Sequence, residues 1–168
     1  YTTLFRSDKL LLTENKEEFR AWANDRIKEL ILKIGENIQL VDSGIFNGEI
    51  VGKYIHSNKK VAGICVLDQG SEEIASDIAM QIAAMSPRWL APEQVDAEVI
   101  DKEKEIYREQ LKGGGKPEAI WDKILEGKLA KFYEENCLLN QVFIKDDSKK
   151  IKDLLAGASI TSWARFSV

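Results

Sequence analysis

Apolar positions recur every three or four residues along some stretches of this chain and alternate along others, and the two periods predict helices and strands in turn. Phe19, Trp22, Ile27, Leu30, Ile31 and Ile34 fall on one face of a helix. Asn15 with Glu18 supplies its N-cap and reciprocal partner, and Gly35 ends it. Ahead of that helix, residues 1–5 and 10–13 are short β-prone runs around Arg6-Ser7-Asp8-Lys9, a small hairpin that opens part-way through an element. Beyond it, residues 38–41 and 45–46 read as extended, and 50–56 with 61–67 as a second hairpin turning at Ser57-Asn58-Lys59. Ser71 caps an acidic-starting helix that runs to Met85 and is broken by Pro87 and Pro92.

From 94 to 112 the pattern is strongly charged, with Val95, Val99, Ile106 and Leu111 as sparse apolar positions. From 118 to 135 a second helical run carries Ile120, Ile124, Leu125, Leu129 and Phe132. Glycines 113 to 115 end the first run and Pro117 suits the first turn of the next. The expectation is an antiparallel coiled-coil hairpin, about 94–136, with a narrow apolar seam, projecting from the body. Residues 137–144 read as extended, 148–155 as a short helix and 159–168 as a closing strand. Strand hairpin, helix, glycine and strand occur once before residue 47 and again after it, Gly35 lying over Gly157 and Ile38 over Ile160. The predicted fold is therefore α+β: two related subdomains, 1–47 and 48–168, with small antiparallel sheets and packed helices, the helical hairpin being inserted in the second.

Composition narrows the function. At 168 residues and 44% hydrophobic content the chain can bury a sizeable core. Its net charge of −4 argues against a surface that tracks phosphates, so no direct nucleic-acid contact is expected. No run approaches the ~20 apolar residues of a membrane helix, no signal segment opens the chain, and a reducing compartment is expected. Cys65 and Cys137 sit in apolar runs outside any metal or redox spacing and read as buried free thiols. His56 is the only histidine, which excludes histidine triads and polyhistidine metal sites. Lys116 follows the glycines at the wrong spacing for a phosphate loop, and Pro117 stands where a magnesium-binding hydroxyl belongs. Acidic and basic residues alternate at 101–105 as on a solvated helix face, and Trp121 and Tyr133 are expected to pack within the hairpin. No enzyme, cofactor or metal is implied.

Four runs carry a resemblance: KIGENI at 33–38, GKYIH at 52–56, DIAMQIAAMSPRWL at 77–90 and GKPEAIWDKILEGKLAKFYEENCLLNQVFIKD at 115–146, with Arg165-Phe166 in the closing strand. In this order and spacing they resemble elongation factor Ts. The resemblance implies two related α+β subdomains with an inserted coiled coil, a guanine-nucleotide exchange function toward elongation factor Tu, and a cytoplasmic setting, or an organelle matrix in a eukaryote. The family's N-terminal three-helix domain has no counterpart in these 168 residues.

The resemblance also suggests where a partner is met. The family's Asp-Phe element ahead of the first core helix falls on Leu11 and Leu12; Leu12 keeps an apolar wedge, Leu11 lacks the carboxylate, and both equally suit a strand core. The family's Ile-Gly pair falls on Ala62 and Gly63, and a family histidine falls on Gln81, which keeps amide hydrogen bonding or serves as plain helix surface. Partner-binding residues are therefore expected at Leu11, Leu12, Ala62, Gly63 and Gln81. The alternative is a dimerisation or scaffold module of the same fold without exchange, a homodimer forming through sheet edges left open in the first subdomain.

Overall fold

A computed structural model describes residues 16–114 and 117–167. The expected first hairpin, the Asn15 cap and the candidate residues Leu11 and Leu12 lie outside the described residues. What is described is α+β, with helices around two small antiparallel sheets. It divides into two compact units, one comprising the chain up to Ala83 and again from Ser159, the other Ala84–Ala158.

In the first unit, α1 (Lys16–Ile34) stops at Gly35, whose φ of +76° is the left-handed conformation that a side chain disfavours. Strands β1 (Ile50–Ile55) and β2 (Val61–Leu67) form the expected hairpin, and β5 (Ile160–Ser167) pairs antiparallel on the other side of β2. Opposed residues of antiparallel strands share a face. Gly52, Cys65 and Trp163 therefore line up on one face with Tyr54, Gly63 and Arg165, while Ile55, Ala62 and Phe166 line up on the other. At the open end of β2, Asp68 donates its N–H to the Ser159 carbonyl (3.1 Å) and accepts the Ser159 N–H on Oδ1 (2.7 Å), fixing where β5 begins. Thr161 is the extra residue of a bulge between the Leu67 and Val66 pairs, and its hydroxyl donates to the Val66 carbonyl at 3.3 Å.

Helix α2 (Glu72–Met85) starts with Ser71 Oγ accepting the Ile74 N–H at 3.3 Å. Ala75, Ala79 and Ala83, one turn apart, present a strip without bulk toward the sheet. A Cβ on Gly52 would overlap the Ala75 carbonyl, and one on Gly63 would overlap the Ala79 carbonyl, so helix and sheet meet backbone to backbone at two points. Leu67, Ile78 and Ile82 are fully buried beside this contact, each worth about 1.5–3 kcal/mol of hydrophobic stabilisation.

Residues 37–48, parts of which read as extended, form no strand among the described residues. Their side chains are engaged instead: Ser43 is buried with Arg20 Nε donating to its hydroxyl at 3.2 Å, and Phe46 meets Phe166 edge-on with ring centroids 6.2 Å apart. This segment thus serves the face of the sheet opposite α2.

In the second unit, a 3-10 turn (Pro92–Gln94) precedes α3 (Ala97–Gly113), and another (Glu118–Ile120) precedes α4 (Trp121–Asn136). Each expected helix is thus shortened at its start, where a proline allows a tighter turn. Helices α3 and α4 pack against each other, Leu111 and Leu125 being their buried leucines. Lys128 Nζ donates to Gln110 Oε1 at 2.8 Å and stands 4.8 Å from the centre of the Tyr107 ring. At the root, Val95, Phe132 and Cys137 form a buried cluster with Trp89, Val99, Ile100 and Tyr133 around it. Tyr133 stands edge-on to its α4 neighbour Phe132 at 5.8 Å. A strap laid beside the end of α4 closes the root: the Arg88 and Trp89 N–H groups donate to the Asn136 carbonyl (2.9 and 3.2 Å), Leu138 N–H to Trp89 (2.9 Å) and Leu139 N–H to Leu90 (3.0 Å).

The remainder of this unit corrects two expectations. Residues 137–144 are not one extended run, because Leu138–Asn140 is a 3-10 turn closing on Cys137, and only β3 (Val142–Phe143) is strand. Residues 148–150 belong not to a helix but to β4 (Asp146–Lys150), leaving α5 as Ile151–Leu154 alone. The cause is local hydrogen bonding: Asp146 Oδ1 accepts both the N–H (3.1 Å) and the hydroxyl (2.6 Å) of Ser148, and Asp153 caps the Lys150 N–H at 2.8 Å.

Two predictions follow from this packing. Gly52→Ala or Gly63→Ala lowers the free energy of unfolding in urea by at least about 2 kcal/mol, whereas Gly127→Ala, at an exposed position of α4 with nothing within 4 Å, raises it by about 0.5–1 kcal/mol. Burial pushes the Cys65 thiol up to about 12, and burial aided by Glu93 pushes Cys137 up to about 11. Both thiols therefore keep their protons in the native state where the unfolded chain loses them, near the ordinary value of about 8.5. The unfolded state then holds fewer protons, so stability falls as pH rises above that value. Urea midpoints at pH 7 and pH 10 will show the decline, and Cys65→Ala will flatten part of it.

Candidate partner-binding surface

The β1–β2 connection is a closed exposed turn. His56 N–H donates to Val61 O at 2.9 Å, Lys59 N–H to His56 O at 2.8 Å and Lys60 N–H to Asn58 Oδ1 at 2.9 Å, with Lys59 at a φ of +56°. On the strand leading into it, the Tyr54 hydroxyl lies 3.1 Å from His56 Nδ1. His56 is thus a hydrogen-bonded surface residue beside a phenol, with neither nucleophile nor metal partner in that pairing. Among the described residues no group of three or more His, Cys, Asp or Glu could hold a metal, and no described helix is long and apolar enough to cross a membrane.

Ala62 and Gly63 follow this turn directly, and both are buried. Ala62 lies on the sheet face shared with Ile55 and Phe166, and Gly63 faces α2 on the opposite side. Gln81 has no exposed surface at all, so its reading as plain helix surface is set aside. No buried side-chain nitrogen or oxygen among the described residues lacks a hydrogen-bond partner, and the Gln81 amide is therefore satisfied within the chain. Ala62 and Gly63 of β2 and Gln81 of α2 are thus all buried rather than standing in solvent, and of the three Gly63 is in close contact with the α2 backbone.

Arg165, noted in the sequence only as part of a closing strand, completes this layer. It sits opposite Gly63 in the register and donates from Nε to the Ala83 carbonyl at 3.2 Å. That carbonyl belongs to the last turn of α2, where helix oxygens lack partners and attract positive charge. Gly52 belongs to the same layer, against the Ala75 carbonyl. Its signal was present: glycines on adjacent strands followed by alanines at 75, 79 and 83, the pattern of a helix lying close on a sheet.

These features define an α+β module of small sheets and paired helices whose described surface offers turns and helix faces for contact. The family model described as elongation factor TS matches residues 6–168. Similar relatives are the elongation factors Ts of Hahella chejuensis (40% identical over 146 residues, 86% of this chain and 51% of the relative) and of a Hydrogenobaculum species (44% over 144 residues, 84% and 52%). The elongation factor Ts of Thermosipho melanesiensis is 48% identical over 118 residues, 65% of this chain and 60% of the relative. The chain belongs to the elongation factor Ts family. It spans about half the length of the first two relatives.

Gln81→Met keeps the volume but leaves the amide's partners unpaired, and is expected to cost roughly 1–3 kcal/mol in chemical unfolding. Arg165→Met is expected to cost about 1.5 kcal/mol, at the lower end for a charged hydrogen bond because Arg165 is partly exposed.

Proposed function

We propose that this chain is the exchange core of an elongation factor Ts, binding elongation factor Tu and promoting release of GDP. The supporting observation is the family match over residues 6–168, which takes in the whole β1–β2–α2 layer and the α3–α4 pair. The chemistry required is linkage alone: a partner that prefers nucleotide-free Tu weakens GDP binding by the same factor by which GDP weakens the partner. In this reading α3 and α4 form an antiparallel coiled-coil hairpin inserted in a subdomain of residues 48–168, residues 1–47 forming a related first subdomain. The exposed turn after His56 and the segment around Leu11 and Leu12 meet Tu, while Ala62, Gly63 and Gln81 set the height and rigidity of that contact. Translation places this activity in the cytoplasm, or in an organelle matrix if the source is eukaryotic.

The burial of Ala62, Gly63 and Gln81 favours a second reading, in which the chain binds Tu without exchange. Stopped-flow release of a fluorescent GDP from Tu separates the two. Exchange predicts faster release with rising chain concentration and a GDP affinity weakened roughly 5- to 150-fold at saturation. Unchanged release with retained binding to nucleotide-free Tu would select the second reading, and no binding at micromolar concentration would remove both.

A further inference from the structure

The turn after His56 has two features that joining β1 to β2 does not require. The first is backbone strain. Among the described residues Lys59, Ser86 and Ala156 are the non-glycine positions with a positive φ. Ser86 follows the last residue of α2 and Ala156 follows the cap of α5, where a left-handed residue is a common way to close a helix end. Lys59 ends no helix. It stands in a hairpin turn at a φ of +56°, a conformation that glycine adopts freely and that a side chain adopts at a cost. The Lys59 N–H bond to His56 O and the Lys60 N–H bond to the Asn58 side chain hold it there.

The second feature is charge. No Asp or Glu occurs between Glu49 and Asp68, so the hairpin carries Lys53, Lys59 and Lys60 with no carboxylate of its own, on a chain whose net charge is −4. Lys59 and Lys60 are exposed, and neither closes an ion pair among the described residues. Cations elsewhere do find carboxylates: Lys28 pairs with Asp25 at 3.0 Å, Lys112 with Glu109 at 2.6 Å and Lys149 with Asp146 at 3.1 Å. A lysine at position 59 therefore bears strain that no ion pair among the described residues offsets.

We infer that the tip of this hairpin is an electrostatic docking point for a carboxylate-rich surface of the partner protein, with Lys59 and Lys60 steering the encounter. The inference rests on the binding of Tu that both readings above share, and adds which side chains meet the partner and what chemistry they meet. Exposed charges at the edge of a contact act mainly on the association rate, because opposite potentials speed the encounter and salt screens them. Dissociation is set by the contacts buried in the complex. The closed turn and the buried Gly63 beneath it hold the backbone that displays the two ammonium groups, so their positive potential has a fixed place on the surface. Strain at Lys59 then marks a trade of stability for binding, and the two can be separated by substitution.

Stopped-flow association of the whole chain with fluorescently labelled, nucleotide-free Tu, at ionic strengths from about 20 to about 500 mM, is the test. Lys59→Gly is expected to raise the urea midpoint, since glycine relieves the left-handed strain, and yet to slow association about two- to threefold at low salt. Lys59→Glu with Lys60→Glu is expected to slow association at least about tenfold at low salt, with the deficit shrinking as salt rises and the dissociation rate staying within about twofold. Urea unfolding of the double variant checks that it remains folded. A double variant that associates as fast as the unaltered chain, a deficit that salt leaves unchanged, or a Lys59→Gly chain less stable than the unaltered one would overturn the inference while Tu binding stands. An unaltered chain that fails to bind Tu at micromolar concentration would overturn it together with the reading on which it rests.

Discussion

The contact between α2 and the sheet at Gly52 and Gly63 governs the first unit. Two helix carbonyls, those of Ala75 and Ala79, occupy space that any side chain on those strand positions would claim. Such close approach excludes water and brings Ile78, Ile82, Leu67 and Cys65 into dense packing. It also accounts for the alanines of α2, since a larger residue at 75, 79 or 83 would lift the helix. Arg165 then closes the helix end from the far strand, and the Asp68–Ser159 exchange of hydrogen bonds sets the register that puts Arg165 opposite Gly63. The exposed turn after His56 inherits its position from this layer, so a partner contact there would be held by backbone packing more than by side chains.

The second unit is built differently. The α3–α4 pair has few buried side chains along its length and is gathered at its root, where Phe132, Val95 and Cys137 pack and the strap at 88–90 hydrogen-bonds to the end of α4. The strap supplies partners for backbone groups that a helix end leaves open. Between root and tip the two helices are joined by Leu111, Leu125 and the Lys128 bridge to Gln110 and Tyr107. A paired-helix element fixed at one end and thinly packed beyond it suits a surface used for contact, because its long charged faces remain in water.

The proposed exchange asks no catalytic group of this chain. Exchange demands a surface whose fit to the nucleotide-free partner is better than its fit to the bound one, and rigidity is what turns that difference in fit into a difference in free energy. Buried, fully hydrogen-bonded Gln81 and the glycine contacts provide such rigidity in the strand–helix layer.

Much of the architecture was legible in the chain. The 3.6-residue period of α1, the paired strands around Ser57-Asn58-Lys59, the Ser71 cap and the charged helices divided by glycines and Pro117 are local signals, set by propensity and by backbone geometry within a few residues. So were the buried thiols, since apolar neighbours foretell burial. Residues 137–150 depart from the pattern of the sequence because side-chain hydrogen bonds at Asp146 and Ser148 and a 3-10 turn at Leu138 override what alternation suggests. Sequence alone determined most of the helices, the β1–β2 hairpin, their family and the absence of any histidine-based catalytic constellation, all of which follow from residue identity and short-range order. Tertiary structure alone decided that Ala62, Gly63 and Gln81 are buried and that Arg165 reaches Ala83, because each depends on residues brought together by strand register and helix packing.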